Sequence, residues 1–316
     1  MTQLKLALVV DWPSIDAPKG QLFSAWETQV IQELQNAADF QPIHLGAYNR
    51  HVNHLHTLFE GGKIGGQPLA HVAKERQNLH DALVGYDVAL SMGPFALWAL
   101  TGETKLDLYR GTHVDSPFVE GLQVVPTYSP SIFCRLAWNE RPVVVSAMKK
   151  ATSKFIDKPR AIFLPESVAD LYAFSTKYIK DKIVFDVETC RGGRITEFSL
   201  APTSSRCLYV QLENRFKESI WLPEDELDIL LWLRWLAAMP DLSWGFHNAT
   251  YDLTYLDTID VRPVGPIFDT MLEHHAYQPE WEKSLGFLAG LHVPTRAWKH
   301  LRTKAKNEFN KAGALE

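Results

Sequence analysis

The stretch Ile183-Val184-Phe185-Asp186-Val187-Glu188-Thr189 decides how the second half of the chain is read. Its β-branched and aromatic residues predict a strand, and two carboxylates stand two residues apart within it. A period of two sends Asp186 and Glu188 out of the same face, leaving Val184, Phe185 and Val187 to pack. An acid inside an otherwise apolar strand costs free energy unless its charge meets a cation, which points to Mg2+ or Mn2+. A strand end running into solvent explains the pair as often.

Further along, Gly245-Phe246-His247-Asn248-Ala249-Thr250-Tyr251-Asp252 reads as a strand end feeding a helix. Asp252 follows Asn248 by four residues, a spacing that stacks two side chains on one helix face. Taken singly, Asn248 reads equally as an N-cap and Asp252 as a surface residue. Around these two pieces the pattern predicts a helix over 166–179, strands over 182–187, 195–201 and 207–212, and a Gly192-Gly193 turn between the first two strands. A helix over 224–237, a strand over 242–246 and helices over 249–256, 270–277, 284–291 and 299–314 follow. Asp269 reads as the N-cap of its helix. Three consecutive strands at the start predict a mixed sheet.

The first half alternates instead. Strands over 4–10, 42–47, 88–92 and 123–128 are interleaved with helices over 21–38, 69–83, 95–100 and 143–154, a rhythm that predicts a largely parallel sheet covered on both faces. The apolar period breaks over 151–160, where Lys158 and Pro159 stand, and the domain boundary is placed there. The expected division is 1–154 and 155–316, both α/β.

With 316 residues the chain is long enough for two cores, and 46% apolar with 22% charged residues exclude extensive disorder. The net charge of −5 gives no global basic excess, so a polynucleotide would have to meet local charge. Lys299, Arg302, Lys304, Lys306 and Lys311 supply one such cluster, read either as a DNA-facing surface or as a solvated helix face. Cys134, Cys190 and Cys207 form no C-x-x-C pair, which excludes a cysteine-built metal site and suits a reducing compartment. No run of eighteen apolar residues exists, and the start lacks a signal-peptide cleavage pattern, so the expectation is a cytoplasmic protein of a bacterial or phage-infected cell with no membrane partner.

V-F-D-V-E-T followed about sixty residues later by H-N-x-x-x-D resembles the first two motifs of the DnaQ-like 3′–5′ exonucleases, and most of all the proofreading domain of phage-like family-A DNA polymerases. Pro266 to Leu272 and Lys283 to Ala289 also look like segments of that family, so the resemblance covers residues 161–300. It implies a ribonuclease-H-like mixed-sheet fold and two-metal phosphodiester hydrolysis with Mg2+ or Mn2+ at single-stranded 3′ DNA ends. By the same match Asp186 bridges the two ions, Glu188 ligates one and orients the water, and Asp252 reaches the second. Asn248 and Thr189 position the terminal nucleotide, with His247 beside them.

The family's third motif, Y-x-x-x-D or H-x-x-x-x-D, has no counterpart here. Asp269 is the last aspartate, and Trp281 stands four residues after Tyr277. The expectation is an exonuclease domain truncated before that motif, weakly active until a downstream polymerase domain or a complementing polypeptide supplies the last carboxylate. A degenerate exonuclease, a non-catalytic DNA-binding or replisome-scaffold fragment, and a ribonuclease of the same superfamily are the alternatives.

In the first half, Leu90-Ser91-Met92-Gly93-Pro94-Phe95-Ala96, Arg110-Gly111 and Val124-Val125-Pro126-Thr127-Tyr128-Ser129-Pro130-Ser131 resemble the uracil-DNA glycosylase superfamily. Ser129 stands where that family has its catalytic His, and the four iron–sulfur cysteines are absent. The resemblance therefore implies a non-catalytic glycosylase-like domain used for DNA contact or docking, in which Asp11 either activates water or, as a strand-end Asp more often does, serves as a cap or turn residue. His51, His54 and His56 read as a solvated loop rather than a metal trio. Trp232 and Trp235, at helical spacing, are expected in the core, and Trp281 and Trp298 either stack on bases or cover the domain surface.

Overall fold

The computed structural model of the protein describes residues 4–10, 23–44, 70–190, 193–214 and 216–298. In chain order its elements are β1 (Leu6–Val10), α1 (Ala25–Ala38), β2 (Ile43–His44), α2 (Ala70–Ala82), β3 (Val88–Met92), α3 (Pro94–Thr101), α4 (Leu106–Tyr109), β4 (Val114–Asp115), β5 (Gln123–Thr127), α5 (Arg141–Ala151) and β6 (Ala161–Phe163). They continue with α6 (Val168–Tyr178), β7 (Lys182–Thr189), β8 (Ile195–Thr203), β9 (Arg206–Gln211), α7 (Pro223–Ala237), β10 (Ser243–Phe246), α8 (Ala249–Thr258), β11 (Ile267–Asp269), α9 (Thr270–Tyr277) and α10 (Leu285–His292). Contacts divide the chain into one unit of Met1–Ile156 plus the residues from Gly286 onward, and a second of Asp157–Leu285.

The first unit is the α/β/α layer structure that its alternating pattern predicts. Its sheet runs β2-β1-β3-β5-β4, parallel except for the two-residue β4, which pairs antiparallel with β5 at the edge. β3 and β5 are buried at every position, as strands covered on both faces must be, and helices α1 and α5 close one side while α2 and α3 close the other. Helix α1 starts where it does because Ser24 and Glu27 form a capping box: Ser24 Oγ accepts from the Glu27 amide at 3.3 Å, and Glu27 Oε2 accepts from the Ser24 amide at 3.0 Å.

Residues 286–298 depart from the expected division, in which 155–316 form one domain. They belong to the first unit, so the second unit is an insertion with both its ends joined to the first. The physical cause is a buried cation. Lys150 Nζ, on α5, donates to Gly111 O at 3.0 Å, to Val293 O at 2.9 Å and to Gly290 O. Ser146 Oγ donates to Leu291 O, the His113 amide donates to Thr295 O at 2.8 Å, and Arg296 pairs with Asp115. Gly111 and Gly290 permit the approach, since a Cβ on Gly111 would stand 2.2 Å from Gly290 O and one on Gly290 2.4 Å from Arg110 O.

The second unit holds a six-stranded mixed sheet in the order β11-β10-β7-β8-β9-β6, the mixed α/β sheet expected from the sequence. β7, β8 and β9 pair antiparallel, while β10 lies parallel to both β7 and β11. Its core lies on one sheet face under α6, α7 and α8, centred on Phe185, whose ring sits 5.2 Å from Trp244 and 5.7 Å from Phe198. Helix α7 begins with Pro223 and three acids, Glu224, Asp225 and Glu226, which suit the positive end of its dipole.

Two packing expectations are corrected here. Val184 is 50% exposed, because the period of two that aims Asp186 outward aims Val184 the same way. Trp232 is fully buried but Trp235 is 42% exposed and rests on Tyr172, because three residues carry a helix position nearly a turn and past the edge of the buried stripe. The strands β6 and β11 were not legible as strands, being three residues long and lacking a period. Phe268 on β11 lies across Gly245, where a Cβ would meet its ring at 2.1 Å.

Trp281 is buried and stacks on His274 with ring centres 6.0 Å apart, which is the covering role, whereas Trp298 is 41% exposed. None of the three cysteines is in a disulfide. Among the described residues no helix is long and apolar enough to cross a membrane. Asp11, the trio His51, His54 and His56, and the helix over 299–314 with its basic residues lie outside the described residues.

Candidate metal centre

The alternation of β7 is strict: Ile183, Phe185 and Val187 are buried while Val184 and Asp186 are exposed and Glu188 is half-buried on the same side. Across the antiparallel ladder Asp186 faces Ser199 and Glu188 faces Glu197, with an irregularity between Glu188 and Thr189 at the strand end. Glu197 is engaged by the Tyr209 hydroxyl, which donates to its Oε2. Burial, that hydrogen bond and the charges of Glu197 and Glu188 push the Tyr209 phenol up to about 12, so it stays protonated and keeps donating.

Asp252 comes to this strand from 65 residues away. In the first turns of α8 its Oδ1 accepts from the Val187 amide at 2.9 Å, and the side chain is only 2% exposed. Burial pushes its carboxyl up to about 6. The Val187 N–H holds it down, and the neighbouring charges of Asp186 and Asp269 add to the rise. Asp186 and Asp252 thus share one electrostatic environment, and Glu188 stands on the Asp186 side of the same strand. Among the described residues, no three His, Cys, Asp or Glu side chains are already drawn together as a ready ligand group.

Asp269 explains why Asp252 is where it is. It is a helix N-cap, as its sequence position predicts, but it caps two helices. Its carboxylate accepts from the Met271 and Leu272 amides at the start of α9, and from the Asn248 and Ala249 amides at the start of α8, at 2.8, 3.4, 3.0 and 2.7 Å. Burial alone would raise this carboxyl, but the four N–H donors outweigh it and hold it below the usual carboxylate value. The second pair of bonds has no sequence signal, since it joins residues some twenty positions apart.

Asn248 occupies the N-cap position of α8 in the left-handed region, φ 75°, and its side chain makes no capping bond. It is therefore not stacked in helical register with Asp252, and the left-handed turn redirects it. His247 Nδ1 lies 2.9 Å from Thr270 Oγ1, a hydroxyl that also donates to Phe246 O, so this imidazole braces the end of β10. Thr189 Oγ1 and the Tyr251 hydroxyl are 2.7 Å apart, and the Tyr251 ring packs edge-on against Tyr255 at 4.8 Å. Tyr251, 42% exposed beside Asp252, is the aromatic that sequence reading passed over. Its place between Asn248 and Asp252 was the available signal.

In the first unit the loops after β3 and β5, at the carboxyl ends of neighbouring parallel strands, line one cavity of about 690 Å³ that includes Pro94, Phe95, Tyr128 and Ser129. Ser129 is 8% exposed and its Oγ is 2.9 Å from Ser131 Oγ. Arg110 pairs with Asp107 at 2.9 Å and stacks between Tyr128 and Phe287, at 4.6 and 4.8 Å from their ring centres. The Arg110-Gly111 pair is thereby used in packing residues 286–298.

No family model matches the chain, and no curated protein matches it. Similar solved structures include Brucella melitensis NrnC, at 14% identity over 44% of this chain and 63% of that one with a TM-score of 0.30. The POL domain of Pol1 from M. smegmatis, solved in complex with DNA primer-template and dNTP, is similar at 19% identity over 40% of this chain and 21% of that one, with a TM-score of 0.30. The EXD2 exonuclease domain soaked in Mn and GMP is similar at 17% identity over 49% and 87%, with a TM-score of 0.26. The chain spans less than two thirds of the length of the first of these. At these scores the functional reading rests on the geometry of the site.

Proposed function

We propose that the second unit is a metal-dependent 3′–5′ exonuclease domain of the kind that proofreads for a DNA polymerase, acting on single-stranded 3′ ends. The observation that carries this reading is Asp252, a nearly fully buried acid delivered by a helix to the backbone of the D-x-E strand, with its carboxyl pushed up by burial and by Asp186. Carboxylates forced into one another's field are a poor arrangement for stability and a good one for holding a hard divalent cation.

Asp186, Glu188 and Asp252 would hold Mg2+ or Mn2+, two ions by analogy with the family resembled, and the metal would supply an activated water and charge stabilisation at the phosphate. The chain's own parts then have separate tasks. Asp269 fixes the start of α8 and so the reach of Asp252. The Val187 amide orients one Asp252 oxygen. Thr189, Asn248 and Tyr251 stand at the strand end and helix start, where a terminal nucleotide would be gripped. By analogy with the family resembled, the centre would take a further carboxylate from a downstream polymerase domain or from a complementing polypeptide, Glu197 being engaged by Tyr209.

Mn2+ titration followed by calorimetry tests the centre without requiring turnover. Binding is expected in the parent chain and is expected to weaken on the order of 100-fold in Asp186→Asn and Asp252→Asn. Nucleotide release from matched 3′-labelled DNA and RNA oligonucleotides, with the polymerase segment supplied in cis or in trans, tests the substrate class. Metal binding indifferent to both substitutions would move the reading to a non-catalytic DNA-binding module. For the first unit we propose a glycosylase-like domain without base-excision chemistry, supported by the hydroxyl of Ser129 at the cavity wall, which offers the departing base a weaker hydrogen bond than an imidazolium.

A further inference from the structure

Behind the carboxylate strand, on the covered face of the same sheet, lies a second cavity of about 450 Å³. It is walled by Phe185 and Val187, which alternate with Asp186 and Glu188 along β7, by Leu230 and Leu233 of α7 and by Leu256 of α8. Most of its lining is apolar. The polar members are Arg194, Glu213, Ser219 and Glu226, of which Glu213, two residues past the end of β9, is 9% exposed. Its Oε1 is met by Arg194 Nε at 2.5 Å, but its Oε2 is buried and meets no hydrogen-bond donor among the described residues.

These facts conflict unless something else enters. A buried carboxylate oxygen without a donor costs free energy, and buried polar atoms in native proteins are usually satisfied, although Trp244 Nε1 in the same core also meets no partner among the described residues. Water can satisfy the oxygen at the end where Arg194, Ser219 and Glu226 stand, but it gains nothing from the leucine, valine and phenylalanine walls that make up the rest of the space. The Glu213 charge is already matched by Arg194, so what is missing is a donor and not a second charge. Glu226 also faces this cavity, its Oε1 accepting from Ser219 Oγ at 2.5 Å, so two carboxylates against the single Arg194 cation leave the lining net negative and unfavourable to anions.

We propose that this cavity is a binding site for a small uncharged apolar molecule bearing one N–H or O–H donor, which lies along α7 and donates to Glu213 Oε2. A volume of this size accepts a bicyclic aromatic ligand. The site is separate from the proposed metal centre, since it lies on the other face of β7, and it touches that centre through the strand itself.

Indole and 1-methylindole have nearly the same body and differ in the donor, and indole-3-acetate adds an anion. Titration of each into the full chain is followed through the Val187 methyl resonances. Indole is expected to bind saturably, 1-methylindole at least ten-fold more weakly, and indole-3-acetate not measurably. In Glu213→Met the preference for indole over 1-methylindole is expected to vanish, and in Leu230→Trp, which fills the cavity, both ligands are expected to lose binding. The Arg194 left by Glu213→Met is largely exposed and tolerates the loss. Equal affinity of the two ligands for the parent chain, or no indole binding at millimolar concentration, would overturn the proposal whatever the variants do.

Discussion

Lys150 in the first unit and Asp252 in the second are both buried charges, and their surroundings treat them in opposite ways. Lys150 is 9% exposed and surrounded by acceptors, its three protons taken by the carbonyls of Gly111, Gly290 and Val293. Asp252 is more deeply buried, takes one hydrogen bond from Val187, and looks toward two other acids. A buried charge with a full set of partners is a structural clamp. One placed among like charges stores a demand for a cation.

The contrast is tested most severely by Lys150→Met. Removing the clamp leaves three carbonyls without their donor and frees residues 286–298 from α5, and a loss of about 3–5 kcal/mol in urea unfolding of the first unit is expected. Next in size is Asp269→Ala, which takes the acceptor from four amides at two helix starts. About 3 kcal/mol of stability should be lost, together with the cation dependence of Asp252, as read by hydrogen exchange at α8 and by Mn2+ titration.

Asp252→Asn is expected to act in the opposite direction. The folded carboxyl has a value of about 6 against an ordinary 3.8, so between about pH 4 and 6 the folded chain binds more protons than the unfolded one. The stability contributed by this group is therefore greatest below pH 4, falls as pH rises through that window, and is absent at neutral pH. The asparagine keeps the bond to Val187 without the charge. The metal-free variant should be more stable than the parent at pH 7 by on the order of 2 kcal/mol, with a flatter pH profile between 4 and 6, and divalent cation should then stabilise the parent alone. A variant less stable than the parent at pH 7 would remove the electrostatic tension on which the site reading rests.

His113 in the first unit supplies the reverse slope. Burial, with Lys150 and Arg296 nearby, lowers it to about 4, so its contribution is present above pH 6.5 and is lost as pH falls toward 4. The smallest effect belongs to Val184→Thr. At 50% exposure beside Asp186 it should change stability by less than about 0.5 kcal/mol, measured by thermal unfolding, whereas a core valine would cost more.

Much of the candidate site's geometry was readable because periodicity encodes faces. Asp186 and Glu188 leave β7 together as their spacing requires, and Asp269 caps α9 as an acid before a helix should. Asn248 was misread as helical register, because a left-handed backbone at the residue before α8 carries no signal in an Asn that is equally at home in a cap. The α/β rhythm of the first unit was legible from alternation. The departure of residues 286–298 from the second unit was not, since their apolar helix looks the same whichever core it joins.

The amino-acid sequence by itself determined the two α/β units, the D-x-E strand with its outward carboxylates and the helix that carries Asp252. These follow from local preference and from periods of 2 and 3.6, which act over a few residues. Only the tertiary structure decided that Asp252 meets the Val187 amide, that Asp269 ties two helix starts together, that Trp232 is buried while Trp235 is not, and that Lys150 recaptures the chain after the second unit. Each of those depends on a partner tens of residues or more away, or on where a neighbouring element ends. A period can aim a side chain, but what it meets is set by packing.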